Sequence, residues 1–227
     1  MKWNKQFKYP KSKHSIVSGK RNYEINNSQL PSVTTILEAT QSQDKRDSLK
    51  KWRNKVGEKE AQRILMESSK RGTDMHKYLE EYLIGQANLE LLESNEEAKL
   101  MSQNIINKGL KNLNELWGAE VTVHFPNSYA GTADACGIYN GNESILDFKQ
   151  SNKSKKREWC EDYFFQVAAY AMAHNKVYNT NITQGVILIC TPLPNIEFQE
   201  FIINGDNFLT YQERFLKKVE EYNNTIL

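Results

Sequence analysis

The stretch Gly131–Lys149, GTADACGIYNGNESILDFK, places two acidic residues in apolar surroundings typical of buried strands. Asp134 follows Gly-Thr-Ala and Asp147 follows Ile-Leu, so each carboxylate would be costly to bury without a partner. Asp147 and Lys149 are two residues apart, and on a strand they point to the same face while Phe148 points into a core. The stretch therefore predicts two neighbouring strands that bring two carboxylates and a lysine to one reaction centre.

Two carboxylates and a lysine at one centre suit metal-dependent hydrolysis of a phosphodiester. Asp134 and Asp147 can share Mg²⁺ or Mn²⁺, because hard divalent cations prefer oxygen ligands. Lys149 can orient and help deprotonate the attacking water or stabilise the charged phosphate, and its position fits either role. Gln166 and Tyr170 lie four apart on one helical face. Gln166 is expected to bind a phosphate or the water and Tyr170 to brace it, with ordinary helix packing as the alternative.

Three residues outside this stretch are further candidates. His76 is expected in the first turn of a helix and can donate an imidazole nitrogen to a metal if that helix faces the strands. Glu80 shares its helical face and can hold the imidazole, and Glu120 can act as an outer acid that supports a metal ligand. Each has a simpler alternative, which is a structural histidine for His76 and a solvated surface carboxylate for the other two.

Length and composition bound the class of protein. A chain of 227 residues, 39% hydrophobic and 26% charged, is long enough for one sizeable α/β domain. No stretch approaches the roughly 20 consecutive apolar residues of a membrane span, and the lysine-rich start carries no signal-peptide core. The three cysteines form no C-x-x-C pair, which argues against disulfide, zinc and iron–sulfur frameworks. We therefore expect one soluble, cytoplasmic catalytic unit with reduced cysteines.

The formal net charge of +2 hides an asymmetry along the chain. Residues 1–70 hold sixteen lysines and arginines against seven acids, whereas the remainder holds fourteen against twenty-one. A basic segment interleaved with aromatic residues suits a nucleic-acid strand, whose phosphates it neutralises and whose bases it stacks. A solvated lysine-rich face is the alternative. The candidate DNA contacts are Lys50, Lys51, Arg53, Lys153, Lys155, Lys156 and Arg157.

Hydrophobic periodicity predicts the order of the helices and strands. Residues 1–31 are expected to form an extended or hairpin entry, and 31–37 a helix start capped by Ser32, with a strand as the alternative. Helices are predicted over 45–69, 74–85, 96–116, 161–176 and 207–222, and Arg71-Gly72-Thr73 is expected to separate the first two. Strands are predicted over 120–125, 131–139, 143–149, 185–190 and 196–203, with Asn140-Gly141 as a hairpin turn.

These motifs occur in an order that resembles a known family. Four motifs resemble those of the RecB-like branch of the PD-(D/E)XK nuclease superfamily. They are Gly-Thr-Ala-Asp134, Ile-Leu-Asp147-Phe148-Lys149, the basic run 153–157 and Gln166-x-x-x-Tyr170. Farther upstream, the segments that resemble the mitochondrial genome maintenance exonuclease family and its phage and bacterial members are Leu30–Leu37, Lys51-Trp52-Arg53 and Arg71–His76. The resemblance covers about residues 30–205. The D-x-K pattern is unspecific by itself, whereas the ordered set is specific.

The resemblance implies an α/β fold with a PD-(D/E)XK core, in which helices flank a central mixed β-sheet. Residues 1–70 would form an N-terminal extended segment and helical arch, and 71–227 the nuclease core, without a clean linker. The resemblance also implies a metal site whose ligands are His76, Asp134, Asp147 and the Phe148 carbonyl, completed by Lys149 and Gln166. Gln150 departs from the family, where Thr commonly follows the lysine, and this difference bears on fine positioning.

The implied activity is that of a Mg²⁺- or Mn²⁺-dependent exonuclease acting on the ends of single-stranded or flapped DNA in replication, recombination or repair. Its partners would be DNA and other recombination or replication proteins, in the host cytoplasm if the chain is phage-encoded. A duplex-processing exonuclease and a structure-selective endonuclease are alternatives on the same fold. An alternative of another class is a nuclease-like subunit that holds DNA without cutting it.

Overall fold

The computed structural model describes residues 1–17, 19–85 and 96–226, and these form a mixed α/β protein. The strands are β1 (Lys2–Trp3), β2 (Lys13–Val17), β3 (Lys20–Ile25), β4 (Ser28–Pro31), β5 (Leu113–Phe125), β6 (Tyr129–Tyr139), β7 (Asn142–Gln150), β8 (Gln184–Cys190) and β9 (Phe198–Asn204). The helices are α1 (Val33–Ala39), α2 (Gln43–Val56), α3 (Glu58–Leu83), α4 (Glu96–Lys108), α5 (Glu161–Tyr178) and α6 (Gly205–Ile226).

Six strands build the main sheet in the order β1-β5-β6-β7-β8-β9. The pairs β1–β5 and β7–β8 are parallel and the other three pairs are antiparallel, so the sheet is mixed. Helix α5 connects β7 to the parallel strand β8, as such a crossover requires. The predicted central mixed sheet between helices is confirmed.

Alternating side chains of β7 divide the core into two layers. Ile145 packs with α5 and α6 on one face, whereas Leu146 and Phe148 pack with α3 and α4 on the other. Phe148 is 1% exposed, which confirms that it points into a core. No helix within 1–17, 19–85 and 96–226 is long and apolar enough to span a membrane.

The β6–β7 hairpin turns at the dipeptide that the sequence indicated. Asn140 and Gly141 have φ angles of 49° and 79°, the positive values that a tight two-residue hairpin demands. Tyr139 pairs with Asn142 across this turn. The turn sets the register of both strands, so it also determines where Asp134 and Asp147 lie.

The predicted N-terminal entry is a small antiparallel sheet of β2, β3 and β4, followed by a short helix. Tyr23, Ile25 and Leu30 pack on Ala130 at the start of β6. The Ser32 side chain accepts the Thr35 N–H at 2.9 Å, which confirms the helix start and its N-cap. The entry segment therefore packs on β6, the strand that carries Asp134.

The predicted helix over 45–69 and the predicted break at Arg71-Gly72-Thr73 are both wrong. The chain bends at Gly57, whose φ of 86° ends α2, and α3 then continues without interruption to Leu83. Gly72 stays helical, and a side chain there would come within 3.4 Å of Gln150 on β7. The helix therefore runs past this glycine in contact with β7, and Gly72 does not mark a helix end.

The predicted helix over 96–116 is also too long. Helix α4 ends at Lys108, a 3₁₀ turn follows over Leu110–Asn112, and β5 begins at Leu113. A Cβ on Gly109 would lie 2.8 Å from the Leu188 side chain, so the chain passes close to β8 where the helix stops. Strand β5 is therefore seven residues longer at its start than the predicted 120–125. Residue 70, the expected end of the N-terminal segment, lies inside α3.

His174 is a buried histidine on α5, far in sequence from the metal-site candidates. It is 0% exposed, with Tyr9 Oη 3.0 Å from Nε2 and Thr180 Oγ1 2.8 Å from Nδ1. The Phe7 and Trp117 rings pack around it. Burial disfavours the charged form and lowers the pKa of His174 from 6.5 to about 4.

We expect His174 to make the fold sensitive to acid. Between pH 6.5 and 4 the unfolded chain binds a proton at His174 that the folded chain does not, so stability is full above this window and falls as the pH drops through it. The loss is on the order of 3 kcal/mol. Urea unfolding of wild type and His174→Gln at several pH values should give a flatter curve for the variant. Parallel curves would contradict this reading.

Candidate functional site

Strands β6 and β7 separate at the point where the two predicted aspartates lie. Their ladder ends at the pair Ala135–Leu146, and β7 continues beside β8 alone. The Phe148 N–H, which β6 no longer receives, donates to Asp134 Oδ2 at 2.6 Å. Asp134 is 7% exposed, so this bond compensates part of the cost of burying its carboxylate. The fork holds Asp134 in a defined position.

Glu120 lies opposite Asp134, in a strained part of β5. Its neighbours Ala119 and Val121 pair with Ala135 and Ala133, which flank Asp134 on β6. Glu120 has a φ of 49°, a left-handed conformation that costs a non-glycine residue about 1–3 kcal/mol. Such strain persists where the surroundings impose it, and it is frequent at functional sites. Here it accompanies a carboxylate aimed at the same centre as Asp134.

His76 on α3 completes a three-residue cluster. Its Nδ1 lies 3.5 Å from Asp134 Oδ1 and 3.6 Å from Glu120 Oε1, and the three ligand atoms lie within 4.8 Å of one another. Burial opposes the imidazolium charge, but the two carboxylates outweigh it and raise the pKa of His76 to about 10. Burial likewise opposes ionisation of Asp134, and the neighbouring His76 lowers its pKa in spite of that. The imidazolium of His76 and the carboxylate of Asp134 thus stabilise each other's charged forms.

Asp147 and Lys149 form a second, deeper pair on β7. Lys149 Nζ lies 2.6 Å from both Asp147 oxygens, and Asp147 is 1% exposed. Burial raises the pKa of Asp147 to about 6, although Lys149 acts in the opposite direction. Burial would lower the pKa of Lys149, but the Asp147 and Asp134 charges raise it. The predicted common face of these two residues is thus observed.

Gln166 and Tyr170 lie on one face of α5 and border the same cavity. Gln166 Nε2 donates to Tyr170 Oη at 3.0 Å. A Cβ on Gly131 would lie 2.3 Å from the Tyr170 ring, so the glycine of the Gly-Thr-Ala-Asp motif makes room for that ring. The first residue of the motif therefore serves packing, and its last residue, Asp134, belongs to the cluster with His76 and Glu120.

The candidate residues surround a cavity of about 440 Å³. Its walls include His76, Glu80, Glu120, Asp134, Lys149, Gln166 and Tyr170. Asp147 lies beneath Lys149 and does not border the cavity. Burial and the charge of Glu120 raise the pKa of Glu80. An adjoining cavity of about 540 Å³ shares His76, Glu80, Glu120 and Lys149 with the first and extends along α3 to Ser68.

The donor set fits a hard divalent cation. One imidazole nitrogen and two carboxylates converge within the cluster, and oxygen-rich sites suit Mg²⁺ and Mn²⁺. The observed cluster contains Glu120, which we placed outside the ligand set. Binding by Asp147 and by the Phe148 carbonyl stays a prediction.

Some of the lysines and arginines predicted to contact DNA are exposed, whereas others already make contacts within the protein. Lys50 and Lys51 on α2 are exposed, as are Lys153 and Lys156 after β7, whereas Lys155 is half-buried. Arg53 pairs with Glu58 at 3.3 Å. Arg157 donates to the Ile202 carbonyl at 3.0 Å and lies over the Phe164 ring. The last two arginines therefore have roles within the fold.

Arg21 on β3 is a site residue that the sequence did not single out. It borders both cavities, together with His76, Glu120 and Lys149. Its guanidinium lies 5.3 Å from the centroid of the Tyr23 ring, and the Tyr23 hydroxyl is 3.1 Å from Thr132 Oγ1. The basic composition of residues 1–70 was the only signal, and it does not distinguish Arg21 from fifteen other cations.

Comparison with known proteins gives a family relationship. No protein-family model matches the chain. The chain is 26% identical over 216 residues to mitochondrial genome maintenance exonuclease 1 of Xenopus tropicalis, covering 89% of this chain and 59% of that protein. It is 27% identical over 203 residues to the protein of that name from Homo sapiens, covering 85% and 58%. The chain is related to these nucleases.

The chain spans somewhat under three fifths of the length of these curated relatives. Among solved structures, one from Eubacterium rectale, described as an exonuclease candidate, aligns with a TM-score of 0.44 and 16% identity. The alignment covers 66% of this chain and 68% of that one. The two curated relatives, and not this structural alignment, confirm the resemblance inferred from the motifs as a relationship to nucleases.

We expect Glu120→Gln to weaken divalent-metal binding about tenfold or more, because it removes one charged oxygen ligand from the cluster. Titration of Mn²⁺ into the protein, followed by calorimetry, measures the change directly. Glu96→Gln, at an exposed position on α4, is the charge-matched control and should bind Mn²⁺ like wild type. Unchanged affinity in Glu120→Gln would remove Glu120 from the ligand set.

Proposed function

We propose that this chain is a Mg²⁺- or Mn²⁺-dependent exonuclease that removes nucleotides from the ends of single-stranded or flapped DNA. The observation that carries the proposal is the His76, Glu120 and Asp134 cluster beside the Asp147–Lys149 pair. The relationship to proteins named as exonucleases supports the same class of reaction. The proposal includes a role for this activity in DNA replication, recombination or repair.

The residues divide the work of phosphodiester hydrolysis among them. His76, Glu120 and Asp134 would hold a divalent cation, with Asp147 as the predicted further ligand, and such an ion supplies charge neutralisation and an activated water. The Lys149 side chain extends from the buried strand β7 to the wall of the cavity. There its ammonium group can orient that water or stabilise the charged phosphate. Gln166, fixed by Tyr170, can bind a phosphate oxygen.

The position of helix α2 supports a free strand end as substrate. Helix α2 contains no buried residue, joins α3 at Gly57, and is tied to α5 by an ion pair between Lys45 and Asp162. Its Trp52 borders a cavity that shares Gln150 with the 540 Å³ cavity at the candidate site, and a helix connected at both ends over this approach would restrict entry to a chain that can be threaded. This restriction supports a single-stranded end over a continuous duplex.

Asp147→Asn and Lys149→Ala should each lower the cleavage rate by about 10²-fold or more, because each removes a charge from the reaction centre. A time course on end-labelled oligonucleotides with Mg²⁺, Mn²⁺ or EDTA measures the loss, and circular dichroism verifies folding. Lys111→Ala, at an exposed position that does not border the cavity, should cut at the wild-type rate. Wild-type rates in either site variant would refute the site.

The same time course separates the alternatives. Shortening of linear single strands alone supports the exonuclease proposed, and the label that disappears first gives its polarity. Cutting of circular strands would make the protein an endonuclease, and faster shortening of blunt duplexes a duplex-processing exonuclease. DNA binding without cleavage under any metal would identify a non-catalytic subunit.

Lys50→Ala with Lys51→Ala should weaken single-strand binding and reduce the slope of log K against log[salt] by about 1.4, because two phosphate contacts are lost. Anisotropy titrations in EDTA over a range of salt concentrations give this slope. A double variant at the exposed Lys111 and Lys217 is the matched control. An unchanged slope would take α2 out of the DNA path.

A further inference from the structure

A third cavity, of about 770 Å³, lies next to the reaction centre and takes no part in the chemistry described above. Its walls are Trp52 on α2, Ile64 on α3, the loop 150–155, Trp159 and Tyr163. We call it the Trp52–Trp159 cleft. Gln150 also borders the 540 Å³ cavity, so the cleft and the reaction centre adjoin.

Trp159 is the unusual residue of this cleft. Its side chain is 57% exposed although it is large and apolar, and burying it would release about 25 cal/mol per Å². It lies in a 3₁₀ turn, Arg157–Cys160, whose Trp159 N–H bonds to the Lys156 carbonyl at 3.0 Å. The Lys156 ammonium group lies 5.4 Å from the ring centroid. An exposed indole in a hydrogen-bonded turn is a surface on which a flat ligand can stack.

The loop wall of the cleft is held in place from two sides. The Gln199 side chain accepts the Lys155 N–H at 2.7 Å and donates to the Lys155 carbonyl at 2.9 Å. On the other side, Asn152 bonds to Ser68 and to Arg71 of α3. The cleft is therefore formed before a ligand arrives, which lowers the entropic cost of binding.

Charge indicates which ligand fits. The residues found to line the cleft include Lys153 and Lys155 and contain no carboxylate. At its inner end, the Lys149 ammonium group lies 5.3 Å from the centroid of the Tyr163 ring, which joins the aromatic wall to the reaction centre. Aromatic faces interleaved with lysines suit unpaired nucleotides, whose bases stack while their phosphates are neutralised.

We propose that the Trp52–Trp159 cleft binds unpaired bases of the DNA strand under digestion, with Trp159 as the stacking platform. The inference rests on the proposed exonuclease function and adds a base-binding subsite to it. It assigns the cleft to nucleobases of any identity, because every base has a flat face and stacking requires no base-specific hydrogen bond.

The test compares two short strands of equal length in EDTA, where no cleavage interferes. One is an oligothymidylate, and the other carries the same phosphates on sugars without bases. Fluorescence anisotropy gives the affinity of wild type, Trp159→Ala and Trp159→Phe for each strand. Leu209→Ala is the control, because Leu209 is a 51% exposed apolar residue on α6 outside the cleft.

We expect wild type and Leu209→Ala to prefer the base-bearing strand by about fivefold or more, since one stacked base contributes at least this factor. Trp159→Ala should lose most of that preference, and Trp159→Phe should keep most of it. The salt dependence should be the same in all four proteins, because no phosphate contact changes.

Equal affinity of wild type for the two strands, or an undiminished preference in Trp159→Ala, would overturn the base-binding subsite. The exposed Trp159 ring would then be assigned to contact with a protein partner instead of a base. If Asp147→Asn still abolishes cleavage in that case, the exonuclease stands without the subsite. If wild type neither binds nor cuts either strand, the proposed function falls together with the subsite.

Discussion

The hydrogen bond from the Phe148 N–H to the Asp134 carboxylate is the interaction on which the site depends. Two paired strands would satisfy their own backbone groups and leave no space for a buried acid. The fork between β6 and β7 leaves one amide without a strand partner, and a carboxylate from the neighbouring strand takes its place. The ladder thus ends in a buried carboxylate that faces His76, and the register of the hairpin determines its position.

Much of this arrangement could be read from the sequence, because local patterns encode it. The period of two along β7 places Asp147 and Lys149 on one face and Phe148 in the core, and Asn140-Gly141 marks the hairpin. These features need only the geometry of a strand and the conformational freedom of two turn residues. The same kind of signal gave the order of helices and strands, whereas the fold class followed from the resemblance to nucleases.

The failures came where tertiary contacts override local preference. Gly57 and Gly72 look alike in sequence, but one has a positive φ and the other packs close to Gln150 inside a continuous helix. No periodicity distinguishes these two uses of glycine. Glu120 was placed as an outer acid because its left-handed backbone, which accompanies its approach to His76, leaves no trace in the pattern of side chains. Trp159 escaped notice because exposure is a property of the fold.

The continuity of α3 has a metric consequence. Ile64 borders the cleft and His76 belongs to the carboxylate cluster, and one uninterrupted helix carries both. Twelve helical residues span about 18 Å, and each residue turns the helix by about 100°. The number of helical residues between Ile64 and His76 therefore sets both the separation and the relative orientation of the two sites. Removing one residue between them would rotate His76 by more than a quarter turn relative to Ile64, so the length of this stretch sets the direction in which each side chain points.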